Sequence, residues 1–575
     1  MHRTAWLLLA FVPWASYAEQ PVRFVDRAAD WGVEFLYESG RDGRFLEPEI
    51  FGSGVALVDV DGDGDLDIFL AQGGRLTPAG VEAQRDELYR QDLFVTADGK
   101  VDRRFVEIGE ISGLAKEPAD GYGMGVAVGD VDGDGYPDLY VTNFGPDRLW
   151  RNRGDGTLED ATAEFGLQTA AAAAWNVPAV FFDYDADGRL DLWVGRYLDY
   201  RVGADVECTS RAGARDYCGP LVYPALSDLL WHNVGGGFED VSASAGIAAQ
   251  PGRALGGVAF DVDVQAGDEG DGRFDLYVAN DLGENFLWRN RGDGTFVDEA
   301  LLAGAAINWR GEAEGSMGVE AQDYDGDGDD DLFMTHTTLA TNTLFENRGG
   351  WLFDDRSRES GLGPPSVGTT GFGTVFLDVD LDGDLDLFLA NGAVRAIETL
   401  AKAGDEFPYR EPDLLLLREG STYREVDDVG LERSDVARAA ALGDLDEDGD
   451  PDLVVGHLDA PVEILENRTL SGSSGGDQPS WLGVRVLSGD GSDLLGSRVG
   501  LRTGQGIVWR RVRTDGSYAA AHDPRVLFGL RGSEARSRAV AGNTVEIRPA
   551  ANGRPLRWRG LPSDSYSVLR MPGGG

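Results

Sequence analysis

One short acidic pattern recurs along the chain and constrains its fold more than any other feature. The pattern is Asp-x-Asp-x-Asp-Gly-x-x-Asp, with aspartate at positions 1, 3, 5 and 9 and glycine at position 6. It occurs in six full copies and one interrupted copy, and successive copies begin 53 to 78 residues apart. A pattern that recurs at such intervals indicates a repeat architecture, in which each repeat is one supersecondary unit.

We interpret each copy as a calcium loop. Ca²⁺ prefers about six to eight oxygen ligands, and carboxylates at positions 1, 3 and 5 can converge on one ion when the chain curls tightly. Glycine at position 6, such as Gly64, permits that turn. Position 7 varies in residue type, which fits a ligand that is the backbone carbonyl. The alternative, a series of solvated acidic turns, leaves the repulsion among the clustered carboxylates without an offset.

The predicted metal ligands occupy positions 1, 3, 5, 7 and 9 of the copies. In the first three copies they are Asp59, Asp61, Asp63, Asp65, Asp67, Asp130, Asp132, Asp134, Tyr136, Asp138, Asp183, Asp185, Asp187, Arg189 and Asp191. In the last three they are Asp323, Asp325, Asp327, Asp329, Asp331, Asp378, Asp380, Asp382, Asp384, Asp386, Asp444, Asp446, Asp448, Asp450 and Asp452. The interrupted copy offers Asp261, Asp263, Asp271 and Asp275, so six to seven calcium sites are expected.

The residues that flank each copy predict strands. We interpret Asp67 to Ala71, in which Ile68 and Leu70 lie two residues apart, as a β-strand with a period of two. An EF-hand would need a Glu at position 12 and helices on both sides, whereas position 12 here is apolar, as at Leu70. Each interval can hold four short strands, the size of one propeller blade. We therefore predict an all-β fold: a seven-bladed β-propeller with a calcium loop between the first two strands of each blade, followed by a small C-terminal β-domain.

The two ends of the repeat region complement each other. After the last copy, Val462 to Asn467 supplies a third strand, but no fourth strand follows. Near the N-terminus, Phe24 to Ala28 resembles the fourth strand of another repeat, Phe238 to Val241. We predict that residues 22–30 complete the last blade, which removes an exposed sheet edge. The propeller then spans residues 19–470.

The first residues and the cysteines predict an exported protein. Residues 1–18 have the charged start, apolar stretch and small-residue exit of a signal peptide, with cleavage after Ala18. No later run is apolar for the about 20 residues that a transmembrane helix needs. We therefore expect a secreted or periplasmic location. In such a compartment Cys208 and Cys218 would form a disulfide, and two free thiols are the alternative.

The C-terminal part differs in charge from the rest. A Gly/Ser-rich linker at 471–478 precedes residues 479–570, which alternate like strands and predict a small β-sandwich or barrel-like domain. Residues 479–575 contain 15 Arg, no Lys and 7 acidic residues, so their net charge is +8 and the remainder carries −57. Either the basic domain docks on the acidic propeller, or its arginines form ladders across exposed strands. The total net charge of −49 argues against nucleic acid and anionic membranes as partners.

The repeats resemble the FG-GAP, or VCBS, family of calcium-binding propeller blades. Phe51-Gly52-Ser53-Gly54 and Gly371-Phe372-Gly373 are similar to the opening of that family's repeats. The tail resembles the ASPIC/UnbV domain through Leu495-Gly496-Ser497-Arg498-Val499, Gly516-Ser517-Tyr518, and Asp523-Pro524-Arg525-Val526-Leu527-Phe528-Gly529-Leu530. This pairing is similar to the cartilage acidic protein family. The resemblance implies extracellular calcium binding and a role in adhesion or matrix, and it names no ligand.

The end of the propeller opposite to the calcium loops is the other candidate surface. Three connections between the second and third strands of a blade are long, at 73–90, 197–228 and 392–412. Polar residues end the second strands, and they either contact a ligand or cap the strands. These residues are Gln72, Asn143, Arg196, Asn280, His336, Asn391 and His457.

Several functions are compatible with this sequence. The first is a calcium-stabilised binding or adhesion module for an extracellular or periplasmic protein or glycan. The second is a calcium-dependent propeller enzyme, such as a polysaccharide lyase or a phosphodiesterase, for which His336 and His457 are the available acid–base groups. The third is an envelope assembly factor. We predict the binding module and no catalytic residues.

Overall fold

The computed structural model describes residues 22–96, 99, 101–116, 120–168, 174–264, 270–470, 479–504, 506–530, 542–550 and 553–572. Strands dominate and the helices are short, so the fold is all-β, as predicted. Within these ranges no helix combines the length and the apolar character that crossing a membrane requires. The expected signal peptide at 1–18 and the expected linker at 471–478 lie outside the described residues.

Seven antiparallel sheets among the described residues share one plan, in which strands A, B, C and D are neighbours in that order. We number the sheets I to VII by the position of strand A in the chain. Sheets I to III consist of Val55–Val58, Asp67–Leu70, Glu87–Val95 and Val101–Glu107; Tyr122–Gly129, Asp138–Phe144, Arg148–Asn152 and Leu158–Asp160; and Asn176–Phe182, Asp191–Arg196, Leu229–Asn233 and Phe238–Asp240. Sheets IV to VI consist of Ala254–Phe260, Asp275–Asn280, Phe286–Asn290 and Phe296–Asp298; Ser316–Gln322, Asp331–His336, Thr343–Asn347 and Phe353–Asp355; and Gly371–Leu377, Asp386–Asn391, Leu414–Glu419 and Thr422–Glu425. Sheet VII consists of Ala437–Gly443, Asp452–His457, Glu463–Asn467 and Phe24–Asp26.

The A strands lie side by side. Strand A of each sheet packs beside strand A of the next sheet, and strand A of sheet VII packs beside strand A of sheet I. The connection between strands A and B of each sheet contains one copy of the acidic pattern, and we call these connections acidic loops I to VII. Because neighbouring strands are antiparallel, the A–B connections lie at one end of each sheet and the B–C connections at the other.

Strand D of sheet VII comes from the N-terminal end of the described chain. Phe24 pairs with Asn467 and Asp26 pairs with Leu465. This strand is shorter than the 22–30 segment expected from the sequence, because Ala28–Trp31 forms a helical turn. The turn ends at Gly32, whose φ of 90° lies in the left-handed region that favours glycine at helix C-termini.

The remaining elements are short and lie in the connections. Two-stranded pairs are formed by Gly74–Thr77 with Gly80–Ala83, Cys208–Thr209 with Arg215–Asp216, and Glu411–Pro412 with Ser434–Asp435. The α-helices are Ala28–Trp31, Gly109–Ser112, Ser242–Ala245, Ala300–Ala303, Gly363–Ser366 and Glu398–Lys402, and the 3₁₀ turns are Glu47–Ile50, Leu114–Lys116, Pro220–Val222 and Ile247–Ala249. Cys208 and Cys218 form a disulfide, as predicted.

The C-terminal residues form two sheets around one apolar core, which fits the expected β-sandwich. The first sheet contains Val526–Leu530, Ser480–Leu487 and Tyr566–Arg570, and the second contains Ile507–Arg511, Arg498–Arg502, Asn543–Arg548 and Leu556–Leu561. Leu482 and Phe528 of the first sheet are buried together with Val499, Val545 and Ile547 of the second.

A segment of this C-terminal part runs among the A strands of the seven sheets. We call residues 513–523 the inserted segment. Ala520–Ala521 pairs in parallel with Val55–Ala56 of sheet I. The backbone N–H of Val319 in sheet V donates to the carbonyl of Ser517 at 3.1 Å. The segment thus supplies hydrogen-bond partners to edges of A strands that would otherwise need another partner.

Two further sheets bond to the inserted segment through side chains. The N–H of Ala259 in sheet IV donates to Oδ2 of Asp515 at 2.8 Å, and the N–H of Leu442 in sheet VII donates to Nδ1 of His522 at 3.0 Å. Docking, one of the two interpretations of the basic C-terminal charge, is therefore present in the structure.

Candidate metal loops

Hydrogen bonds to the first aspartate curl each acidic loop. In loop II, Oδ1 of Asp130 accepts from the N–H of Gly133 at 2.8 Å, and Oδ2 accepts from the N–H of Gly135 at 2.8 Å. Gly135 has a φ of 93°, which a residue with a side chain rarely adopts. Aspartate at position 1 and glycine at position 6 therefore fold the loop locally.

This curl brings alternate carboxylates together. One oxygen from each of Asp59, Asp61 and Asp67 lies within 4.8 Å of the others in loop I. The same holds for Asp130, Asp132 and Asp138 in loop II, and for Asp183, Asp185 and Asp187 in loop III. Positions 1, 3 and 9 thus converge in loops I and II, and positions 1, 3 and 5 converge in loop III.

Some oxygens of the acidic loops are buried and lack a hydrogen-bond partner among the described residues. These atoms are Oδ1 of Asp61, Oδ2 of Asp323, Oδ1 of Asp329, Oδ1 of Asp444 and Oδ1 of Asp450. Leaving a carboxylate oxygen buried and unpaired costs free energy. A hard cation prefers a donor set made of oxygens, so these residues fit such an ion.

Burial also disfavours the charged form of these aspartates. It raises the pKa of Asp67 and of Asp138 to about 8. For Asp378, burial and the charges of Asp382 and Asp380 together raise the pKa to about 8. A bound cation would favour the ionised form of all these groups and reverse the direction of the shift.

The aspartate at position 9 has a second role that the sequence did not reveal. In loop I, Oδ2 of Asp67 accepts from the N–H of Val60 at 2.9 Å, and Oδ1 accepts from the N–H of Gln91 in strand C at 2.8 Å. The same two bonds recur in all seven described loops, from position 2 and from strand C. The donors in the other loops are Val131 and Asn152, Tyr184 and Asn233, Val262 and Asn290, Tyr324 and Asn347, Val379 and Arg418, and Leu445 and Asn467.

The interrupted loop IV keeps this framework, but its other aspartates have different partners. Asp275 accepts from the N–H of Val262 at 3.1 Å, as position 9 does elsewhere. Oδ1 of Asp263, however, accepts from the indole N–H of Trp351 at 2.8 Å. Arg273 forms an ion pair with Asp271. Two of the four carboxylates expected to bind an ion thus have neighbouring side chains as partners.

Asparagines at the end of strand C join neighbouring sheets at the acidic loops, and sequence reasoning missed them. Nδ2 of Asn290 in sheet IV donates to the carbonyl of Tyr184 in loop III at 2.7 Å. Asn233, Asn347 and Asn467 make the equivalent bond to the loop of the preceding sheet. A sequence signal for these asparagines was present, because each of them stands at the start of a turn. The side chain of each accepts from the backbone N–H two residues later.

His232 is a second residue that the sequence did not single out. Its Nδ1 lies 3.1 Å from Oδ1 of Asp191 and 3.6 Å from Oδ2 of Asp185, beside loop III. His232, Asp185 and Asp191 bring three possible ligand atoms within 4.8 Å of one another. Its position before Asn233 in strand C is the position of Arg289 in sheet IV, so no sequence pattern marks it as a ligand.

The C-terminal domain lies against the acidic loops. Arg485 is 3.4 Å from Oδ2 of Asp59 in loop I, and the hydroxyl of Ser492 donates to Oδ2 of Asp130 in loop II at 2.5 Å. The Tyr566 hydroxyl donates to Oδ2 of Asp444 in loop VII at 2.9 Å. Oδ2 of Asp378 in loop VI also accepts from the N–H of Gly529 at 3.2 Å, so four carboxylates at position 1 are in contact with this domain.

Backbone groups of the loops take part in the same interface. Arg498 donates to the carbonyl of Gly328 at 2.8 Å and Arg510 donates to the carbonyl of Gly383 at 3.2 Å. Both carbonyls belong to position 6 of their loops. The side chains of Arg498 and Arg510 are buried. These two arginines of the domain thus bond to the loops, whereas Arg502 and Arg557 form ion pairs with Glu546 across neighbouring strands and are exposed.

At the other end of the sheets, the polar residues that end strand B cap the chain. The backbone N–H of six of the seven donates to an Asp or Asn side chain at the start of strand C. The pairs are Gln72 with Asp86, Asn143 with Asp147, Arg196 with Asp228, Asn280 with Asn285, His336 with Asn342, and Asn391 with Asp413. The capping interpretation therefore accounts for these six residues.

The two histidines of this group lie in different sheets and bond within them. Nε2 of His336 lies 2.9 Å from the hydroxyl of Thr343, and burial lowers the pKa of His336 to about 4. Nε2 of His457 lies 2.9 Å from Oε2 of Glu463. Both side chains are buried by their own sheet.

Comparison with known proteins agrees with the repeat pattern. A family model of the FG-GAP-like repeat matches residues 59–141, 130–194, 269–334 and 323–389. Three of these matches begin at position 1 of an acidic loop.

Similarity to curated proteins extends further along the chain. Cartilage acidic protein 1 of Homo sapiens is 25% identical over 504 residues, which cover 84% of this chain and 68% of that protein. The Xenopus tropicalis protein of the same name is 25% identical over 509 residues, which cover 85% and 69%. The solved BP39L lectin of Burkholderia pseudomallei aligns over 72% of this chain and 95% of its own, with 11% identity and a TM-score of 0.40. The chain therefore contains FG-GAP-like repeats and is similar to cartilage acidic protein 1 over most of its length.

Proposed function

We propose that this chain is an exported, calcium-loaded, seven-bladed propeller that serves as a binding module for a protein or a glycan. In this proposal sheets I to VII are the blades, and strand D of sheet VII, Phe24–Asp26, links the two ends of the ring. The propeller spans residues 19–470, and 479–570 forms the ASPIC/UnbV-like domain. The packing of strand A of sheet VII beside strand A of sheet I supports this arrangement.

The observation that carries the calcium proposal is the convergence of carboxylate oxygens within 4.8 Å in the acidic loops. Alternate aspartates provide the donors, and the variable position 7 adds a backbone carbonyl. We expect six sites, with loop IV as the exception, because Trp351 and Arg273 engage two of its aspartates. Calcium is structural in this proposal, since the C-terminal domain covers several loops.

Export is supported by the disulfide between Cys208 and Cys218 and by the sequence of residues 1–18. A binding role rather than catalysis is supported by the use of His336 and His457 inside their own sheets. The name of the curated relatives describes an acidic protein of cartilage, and an extracellular adhesion or matrix role for this chain would agree with it.

Calcium titration by calorimetry tests the metal part of this proposal. We expect about six ions per chain, and Asp132→Asn should remove or weaken one of them. Asp155→Asn is the matched control, because Asp155 lies in an exposed turn outside the acidic loops. An unchanged stoichiometry and affinity in Asp132→Asn would contradict the assignment.

Arrays of glycans and extracellular proteins, screened with and without calcium, test the binding role. We expect the chain to bind a partner on the array when calcium is present and to lose that binding when calcium is removed.

A further inference from the structure

A large cavity lies at the end of the sheets opposite to the acidic loops. Its volume is about 680 Å³, within the range of about 300–1,000 Å³ that is typical of small-molecule sites. Its floor includes Phe51 and Met317, and its polar wall includes Thr337 and Thr370 at the ends of strands. The acidic loops supply none of its lining residues.

Two of the long connections noted in the sequence cover this cavity. They are the disulfide-containing connection between strands B and C of sheet III, and the corresponding connection of sheet VI. Asp216 of the first connection accepts from the N–H of Ala396 at 3.1 Å and from the hydroxyl of Tyr409 at 2.8 Å, both in the second connection. The cover is therefore bonded together across the cavity.

Four carboxylates that line the cavity are almost fully buried. The exposed fractions of Glu47, Asp216, Asp281 and Glu411 are 4%, 2%, 5% and 5%. Oε1 of Glu47 accepts from the backbone N–H of Cys218 at 2.6 Å, and Oε2 of Glu411 accepts from the backbone N–H of Thr370 at 2.7 Å. The donors to these two carboxylates are thus neutral groups and not cations.

One carboxylate oxygen of Asp281 lacks a hydrogen-bond partner within the described part of the chain. Its Oδ2 accepts from the hydroxyl of Tyr197 at 2.7 Å. Its Oδ1 is buried and has no hydrogen-bond partner among the described residues. A buried carboxylate oxygen without a partner is costly, so a ligand that donates hydrogen bonds and carries positive charge would stabilise this wall.

The other residues of the lining limit the size and chemistry of that ligand. The arginines of the lining, Arg211 and Arg395, belong to the covering connections, and Arg395 donates to the carbonyl of Tyr217. Apolar side chains such as Phe51 and Met317 face the same space as the carboxylates. An anion would meet the buried acids, whereas a cation with a short apolar or hydroxylated skeleton matches both parts of the wall.

We propose that this cavity binds a small organic ligand through a protonated primary amine, which Asp281 and Glu47 hold, with Thr337 and Thr370 available to its hydroxyl or amine groups. The inference rests on the proposed binding function but not on calcium, because the acidic loops do not line the site. An aliphatic diamine and an amino sugar both have a protonated primary amine, and the experiment below distinguishes between these two ligand classes.

Calorimetric titration of the full chain in saturating calcium tests the proposal. The probes are putrescine and glucosamine, each compared with its neutral counterpart, 1,4-butanediol and glucose. We expect one amine to bind one site per chain at least about tenfold more tightly than its counterpart, and the amine that binds identifies the source. If neither amine binds better than its neutral counterpart, or if calcium at millimolar excess displaces the amine, the proposal is wrong.

Two variants place the binding in the cavity. Asp281→Asn retains an acceptor for Tyr197 but removes the charge, so it should weaken amine binding at least about tenfold. Gly368→Trp should block the cavity, because Gly368 lies in its wall and a Cβ there meets no atom within 4 Å. Glu82→Gln and Gly506→Trp are the matched controls, since Glu82 is exposed and a Cβ at Gly506 also meets no atom within 4 Å. Equal binding by variants and controls would overturn the assignment.

The same titration after chelation separates this proposal from the calcium proposal. If chelation leaves the melting temperature unchanged, the calcium proposal fails, and amine binding by that sample still tests the cavity. If chelation unfolds the chain, the amine titration in saturating calcium alone decides whether the cavity proposal is correct.

Discussion

Nη2 of Arg513 lies 2.7 Å from Oε2 of Glu320, and both side chains are buried between the inserted segment and sheet V. His522 of the same segment places Nε2 3.2 Å from the other oxygen of Glu320. One carboxylate of sheet V therefore faces two basic side chains that arrive from the C-terminal part of the chain. This contact makes the seven sheets and the C-terminal domain a single packed unit.

Removing Glu320 should strongly destabilise the chain. Glu320→Ala leaves Arg513 buried without its partner, which costs about 3–5 kcal/mol of unfolding free energy. The double variant Glu320→Leu with Arg513→Met should lose less than Glu320→Ala alone, because it removes both charges. Chemical denaturation of the full chain measures these differences. Lys402→Ala, which breaks an exposed ion pair with Glu398, is the control and should change the unfolding free energy by less than about 1 kcal/mol. A Glu320→Ala cost as small as that of the control would contradict this account.

High salt should not separate the two parts of the chain. Exposed ion pairs weaken when salt screens them, but a segment that pairs with Val55–Ala56 and is buried among the A strands is not held by screened charges. We expect the radius of gyration from solution scattering to be the same at 0.1 M and 1 M NaCl, to within about 1 Å. An expansion in 1 M NaCl would show that surface electrostatics alone hold the domain in place.

The asparagine bond between sheets can be tested with a control from the same chain. Asn290→Ala removes the bond to the carbonyl of Tyr184 and should lower the unfolding free energy by about 1–3 kcal/mol more than Asn152→Ala does. Asn152 occupies the same place in sheet II and opens the same turn, but its Nδ2 has no partner among the described residues. Equal losses in the two variants would show that the bond between sheets contributes nothing.

Buried Glu47 should make stability depend on pH. Burial raises the pKa of Glu47 from 4.5 to about 8, so the folded chain binds this proton more tightly than the unfolded chain does. Its contribution to stability is fully present below pH 4.5 and is lost as the pH rises from about 4.5 to about 8. In calcium-saturated protein, Glu47→Gln should make the slope less negative by up to about 1.4 kcal/mol per pH unit over that range. A variant whose slope equals that of the wild type would contradict the assignment.

Local chemistry explains which parts of the structure could be predicted from the sequence. The acidic loops could, because aspartate and glycine at fixed positions, such as Asp130 and Gly135, form the turn with their own backbone. The strands on either side could also be predicted, since they are short apolar runs next to turn residues. The pairing of Phe24 with Asn467 could be predicted because the N-terminal segment resembles strand D of other sheets in sequence.

The inserted segment could not be predicted, because its role depends on distant partners. Gly516, Ser517 and Tyr518 stood out only through their resemblance to a family. In the structure, Ser517 accepts from Val319, and the ring of Tyr518 packs edge-on against Phe372 at 4.9 Å. Neither contact has a local signature. The cavity was equally hidden, since Glu47, Asp281 and Glu411 come together only when the long connections fold over the sheets.

Thermal unfolding of the full chain before and after chelation tests the central claim most directly. Each site contributes about 2.7 kcal/mol when free calcium exceeds its dissociation constant 100-fold. Ions at the acidic loops should therefore raise the melting temperature of the whole unit. The account predicts that chelation lowers the melting temperature and that added calcium, but not equimolar magnesium, restores it. A melting temperature that does not change on chelation of a verified metal-free sample would contradict the account.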